Sequence, residues 1–280
     1  MIYISSSSVK SNRIVDSINK LTAAGFDAIE LSGGTMPYKG LEQDLRSIKE
    51  KGVKLLAHNY FPPPSTPFVL NLASLDKTVA DLSMEHALRA LEVSEMIGAT
   101  KFGIHAGFLI NIPVSEIGKP ITEQPLFNRD ASLDAFANNV RRLQEKSNVE
   151  LYIENNVVAP FNLRNFNGVN PFFLTDSQSY QELKERFDFN LLLDVAHLKV
   201  SSYALGLNFT EELNALIPES DYIHISDNDG SKDSNEIFET GSELHQQLSN
   251  FEWKNKTITL EVYDGLEAVR TSYNAVHSLL

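Results

Sequence analysis

Six ionisable side chains fall at or near the ends of short apolar runs. His58 closes "VKLLAH", His105 "KFGIH", Glu154 "ELYIE" and Asp194 "NLLLD", while His224 lies in "YIHIS" and Glu261 in "TITLEV". A buried apolar run does not end on a charge without some partner for it. Taken singly, each has a structural explanation: a histidine bonded to backbone, a glutamate paired with an arginine, an aspartate capping the next helix. Together they call for more, because Glu154, Asp194 and Glu261 would repel one another in a semi-buried site unless a cation sat among them. Carboxylate oxygens with imidazole nitrogens suit a divalent ion such as Zn, Mn, Co or Mg. Such a site supports proton transfer beside a polarised carbonyl, or activation of water.

These residues need a scaffold that gathers them. The chain of 280 residues carries eight β-rich runs, at 2–7, 28–33, 53–60, 101–107, 150–156, 190–197, 222–227 and 257–263. Stretches of helical period separate them. The clearest, 76–99, places Leu82, Leu88, Leu91 and Val93 near one stripe and stops at Gly98. Others are expected at about 132–146 and after Gly265. Strict alternation predicts a parallel sheet, and eight repeats predict closure into a single (β/α)8 TIM barrel spanning residues 1–280. In that fold the strand ends converge on one mouth, so residues far apart in sequence become neighbours. Three long connections, 61–74, 109–130 and 157–175, follow strands and would wall the mouth.

Composition narrows the chemistry. Net charge is −13, with 24 Lys plus Arg against 37 Asp plus Glu, which argues against nucleic acid as a partner. The absence of cysteine removes disulfides, thiolate nucleophiles and Cys-ligated zinc. "MIYISSSSVKSNR" lacks the pattern of a secretory signal, and no apolar run reaches transmembrane length, so a cytoplasmic protein free of membrane contacts is expected. "DNDGSKD" (227–233) has its glycine at the wrong place for a calcium loop. Ser5–Ser8 either line the pocket or start a loop, and His86, His245 and His277 are read as structural.

The ordered set Glu154, Asp194-x-x-His197, His224-x-x-Asp227 and Glu261 resembles the xylose isomerase-like barrel superfamily over nearly the whole chain. That superfamily holds sugar isomerases and epimerases together with endonuclease IV. In its tagatose 3-epimerase-like branch, the resemblance implies that Glu154, Asp194, His224 and Glu261 hold one metal ion. It implies further that Glu154 and Glu261 move protons, that His197 contacts substrate or a second ion, and that Asp227 supports the ligands from behind. His58 and His105 resemble the extra histidines of the endonuclease IV branch, ligands of substrate or of a second ion, and "PFVLNLAS" (67–74) resembles a segment of that branch. The third zinc of that branch needs an Asp-x-His; here Asp233-Ser-Asn235 offers asparagine instead, a poor zinc ligand.

The expected activity is therefore a metal-dependent isomerase or epimerase of a small sugar or sugar phosphate. The divalent ion would acidify a C–H beside a carbonyl by stabilising an enediolate. The alternatives are a metal-dependent phosphodiester hydrolase like endonuclease IV and a non-catalytic sugar-binding barrel. The expected partner is a small-molecule sugar, and assembly as a homo-oligomer is compatible with it.

Overall fold

The structure, a computed structural model, describes residues 1–280. Eight parallel strands close into a barrel in sequence order: β1 (Ile2–Ser5), β2 (Ala28–Leu31), β3 (Lys54–His58), β4 (Lys101–His105), β5 (Glu150–Glu154), β6 (Asn190–Asp194), β7 (Tyr222–Ile225) and β8 (Thr257–Leu260). Helices pack on the outside while side chains fill the inside, so both faces of each strand are covered. That is why the strands read as continuous apolar runs and not as alternating ones. The expected (β/α)8 architecture is the one observed.

The helix Lys77–Ile97 starts at Asp76, whose carboxylate accepts the N–H groups of Thr78 and Val79, and stops at Gly98 with φ of 77°. Its buried stripe differs from the expected one. Ala87, Ala90, Leu91 and Ser94 face the barrel, whereas Leu82 is 44% exposed. Leu82 lies five residues before Ala87, about 140° around the helix axis from it. Leu91 and Val93 are buried as expected, with Met84 and Ile97 beside them, so only Leu82 departs clearly from the expected stripe.

The run 190–197 also divides. β6 ends at Asp194, and the helix Val195–Leu205 begins at once, because Asp194 Oδ1 accepts the His197 N–H at 2.7 Å. One large core fills the barrel and the layer beneath the helices. A second, small core of Phe108, Ile110, Ile121, Val158, Phe166 and Phe172 lies under the long connections at the mouth. Asn71 ties two of these connections together, donating to the carbonyls of Phe108 and Ile110 while accepting from the N–H groups of Ala73 and Phe108. No helix is long and apolar enough to cross a membrane.

Candidate metal centre

Strand register brings the ionisable ends side by side. His105 lies opposite Glu154 in the β4–β5 pair, and Asp194 opposite His224 in the β6–β7 pair. His58 is the last residue of β3, and Glu261 follows the last residue of β8. Gly103 makes room for this arrangement. A Cβ there would stand 2.5 Å from Leu192 Cδ1 and 3.0 Å from the His58 ring, so any other residue would push that imidazole away.

Glu154 sits at the centre, fully buried. Its Oε2 lies 2.7 Å from His58 Nε2 and 3.1 Å from His105 Nδ1. Its Oε1 lies 3.6 Å from His224 Nδ1 and 3.7 Å from His197 Nδ1. The same His224 nitrogen stands 3.9 Å from Asp194 Oδ2 and 3.8 Å from Glu261 Oε2. Histidines are the only ionic partners of these carboxylates; no lysine or arginine reaches them. Glu154 Oε1, Asp194 Oδ2 and His224 Nδ1 are buried without a hydrogen-bond partner. Each such orphan costs about 1–3 kcal/mol if nothing fills the space between them. Atoms bound about 2.0–2.2 Å from one divalent ion stand roughly 3–4 Å from each other. The orphaned atoms match that spacing, and the donor set fits a divalent ion.

Three overlapping groups have ligand atoms within 4.8 Å of one another: Glu154, Asp194 and His224; His58, His105 and Glu154; and Glu30, His224 and Glu261. Glu154, shared by the first two, turns one oxygen to each.

Electrostatics converge on the same place. Burial pushes the Glu154 carboxyl's pKa up, but His105 and His58 outweigh it and hold it well below the ordinary value. At Glu261 burial prevails over His224 and His58, and the pKa rises to about 7; burial likewise raises Asp194. For His58, His197 and His224 burial favours the neutral ring, yet the facing carboxylates win and raise all three pKa values. His105 has only Glu154 to oppose burial and the neighbouring imidazoles, and falls to about 4. In the metal-free chain, protons collect on three imidazoles to balance the carboxylates.

Two residues not singled out in the sequence hold the centre in shape. Glu30 on β2 is fully buried, and its oxygens stand 3.1 and 3.4 Å from His224 Nε2. It also accepts from the Tyr222 hydroxyl and, at 2.8 Å, from Thr259 Oγ1. With Nε2 turned to Glu30, His224 presents Nδ1 to the cluster. Its signal was available: an acidic residue inside the apolar run "AIELSG". Asn155 accepts from the Asp194 N–H at 2.6 Å and donates to the Asp194 carbonyl at 3.0 Å. Its own carbonyl lies 2.9 Å from His197 Nδ1, which must donate, so His197 Nε2 faces Asp233 Oδ2 at 3.4 Å.

Asp227 is not brought to the cluster as expected. Its carboxylate accepts from Lys199 at 2.6 Å and from the Asn228 N–H, because the loop after β7 turns it outward. Asn235, with φ of 50°, bonds Ser226 and Asp233 through its amide and leaves His197 and Asp233 without a second imidazole beside them.

The family model described as "Xylose isomerase-like TIM barrel" matches residues 18–276. No curated protein matches the sequence. Among solved structures, a D-tagatose 3-epimerase-like protein is similar over 99% of this chain and 96% of its own, with 16% identity and a TM-score of 0.70. The TTHB071 protein from Thermus thermophilus, soaked with ZnCl2, is similar over 99% and 97%, with 20% identity and a TM-score of 0.63. Endonuclease IV from the same organism is similar over 99% and 99%, with 14% identity and a TM-score of 0.62. At such identities the structural likeness is one of fold. The family match covers nearly the whole chain, from before β2 to the last helix, and on that ground the chain belongs to the xylose isomerase-like TIM barrel family.

Proposed function

We propose that this chain is a metal-dependent isomerase or epimerase of a small sugar or sugar phosphate. The observation that carries the reading is the placement of Glu154 and Glu261 around one imidazole, each within 4 Å of His224 Nδ1. They reach it from β5 and from the end of β8, strands separated by two others around the barrel. Two carboxylates approaching from different sides suit removal of a proton from one face of a planar intermediate and its return to the other.

Glu154, Asp194, His224 and Glu261 would hold one divalent ion, and His58 with His105 and Glu154 a second. Such an ion supplies positive charge that acidifies a C–H beside a carbonyl. His58 fixes the Glu154 carboxylate through Oε2, so its orientation is set before substrate arrives. Glu154 takes the proton and Glu261 returns one. His197, locked by the Asn155 carbonyl, offers Nε2 to a substrate oxygen. Glu30 keeps His224 from rotating.

The endonuclease-like hydrolase is favoured by the His58–His105–Glu154 group alone. Asn235 and the charge of −13 oppose it. The test is product formation from a panel of ketoses in deuterated solvent, with metal content measured in every variant. Solvent deuterium at the inverted or isomerised carbon, lost in Glu154→Gln and Glu261→Gln, supports the proposal. Full turnover by a metal-loaded double Gln variant contradicts it, as does cleavage of an abasic duplex without any turnover of ketose.

A further inference from the structure

Beside the cluster lies a cavity of about 250 Å³ with two unlike sides. His105, His197 and Asp233 line one side, so the cavity is continuous with the candidate metal centre. Phe108, Phe172, Ile117 and Ile121 line the other. Phe108 and Phe172 stand edge to face, with ring centres 5.6 Å apart, as part of the small second core. Ile117, 53% exposed, adds apolar surface open to solvent.

Several polar side chains also border the cavity: Lys232 is exposed beside Asp233 on the metal side, Lys119 donates to the Ser115 carbonyl, and the fold uses part of the hydrogen-bonding capacity of the others. Asn156 donates its amide hydrogens to the carbonyls of Ala106, Gly107 and Phe173. Asn162 accepts from the Ile121 N–H, and Tyr60 from the Leu70 N–H. Both Glu116 oxygens accept from Thr122. Away from the metal side the wall is mainly apolar, with Tyr60, Lys119 and Asn162 as its polar exceptions. A plain polyol laid along Phe108, Phe172, Ile117 and Ile121 would lose water contacts without gaining hydrogen bonds from those four side chains.

We infer, resting on the function proposed above, that the substrate is a polyhydroxylated carbonyl compound bearing an apolar substituent, alkyl or aryl, away from the reacting carbon. The wall of Phe108, Phe172, Ile117 and Ile121 is the subsite for that substituent. Its polar head reaches His105 and His197, and its tail lies under the connection that carries Ile117. Each buried methylene adds roughly fourfold in affinity.

The probes are 6-O-methyl-D-fructose, 6-O-benzyl-D-fructose and D-fructose 6-phosphate, titrated calorimetrically into the metal-loaded full chain. The benzyl ether should bind at least about tenfold more tightly than the methyl ether. Ile117→Ser, a change at an exposed position, and Phe172→Ala should each shrink that gap with metal content unaltered. Equal affinities for the two ethers would overturn the inference, as would tightest binding of the phosphate or a gap untouched by both variants. The two readings separate cleanly. Deuterium uptake with equal ether affinities sinks only the subsite; a benzyl preference without any deuterium uptake sinks only the proton-transfer reading.

Discussion

Where the barrel strands begin, Lys101 stands 2.8 Å from Asp221 Oδ1 and 4.6 Å from the Tyr152 ring centre, while Tyr152 donates to the same carboxylate at 2.8 Å. Lys256 donates to the Ile217 carbonyl nearby. Where the strands finish, Glu30, Glu154, Asp194 and Glu261 are far more deeply buried than Asp221, yet no lysine or arginine accompanies them. The first end carries its own cations; the second has oxygens, imidazoles and unpaired atoms at ligand spacing. Size does not locate the chemistry. A cleft of about 730 Å³ opens at the first end, lined in part by Lys184, Lys254 and Lys256, but every group of side chains able to share an ion lies at the second. Buried carboxylates whose only partners are imidazoles make the second end the candidate functional one.

The sharpest way to break this contrast is Glu154→Gln. Glu154 belongs to two of the ligand groups, so its loss should lower turnover by about 10²–10⁴-fold and reduce bound metal. Unchanged metal content with unchanged turnover would remove Glu154 from the centre. Glu30→Gln touches no substrate in the proposed arrangement. It should weaken metal affinity by about 10–100-fold by freeing His224 to turn, and a cobalt-loaded sample should show an altered visible spectrum. An identical spectrum and affinity would make Glu30 a purely structural residue.

Protons and metal should exchange roles at the mouth but not at the other end. Raised pKa values at His58, His197 and His224 mean that the folded chain keeps protons which the unfolded chain releases. That stabilisation is complete below the ordinary histidine value of 6.5 and is lost as pH climbs through the raised values. Glu261 acts in the same direction, from 4.5 up to about 7. The lowered Glu154, Glu30 and His105 values act at more acid pH and add no slope above 6.5. Chelator-stripped protein should therefore unfold at progressively lower denaturant as pH rises above 6.5, and metal-loaded protein should hold nearly constant. Parallel curves for the two samples would contradict the substitution of metal for protons. The smallest effect belongs to the first end: Lys101→Met should cost about 1–2 kcal/mol of stability, read as a shifted denaturation midpoint, with no change in bound metal.

Much of this centre is legible in the sequence because a parallel barrel turns strand ends into neighbours, and an ionisable residue closing an apolar run is visible without coordinates. Asp194 shows how far that reading goes. Helix cap and cluster member look like rival roles in sequence, yet Oδ1 caps His197 while Oδ2 faces His224. Glu30 escaped because its partners Tyr222 and Thr259 sit on strands at the other end of the chain, although the same strand rule would have exposed it. Asp227 misled because its spacing from His224 says nothing about which way the loop turns after Ile225. Leu82 misled because its apolar character suggested burial, whereas its place about 140° around the helix from Ala87 turns it to solvent.

The most direct measurement is elemental analysis of the purified full chain after gel filtration, paired with thermal unfolding before and after chelation. The proposed centre predicts about one or more divalent ions per chain, removable by chelator with a fall in Tm and restored by Zn, Mn, Co or Mg. A metal-free chain whose Tm does not move when any of these ions is added would contradict the metal centre at its root.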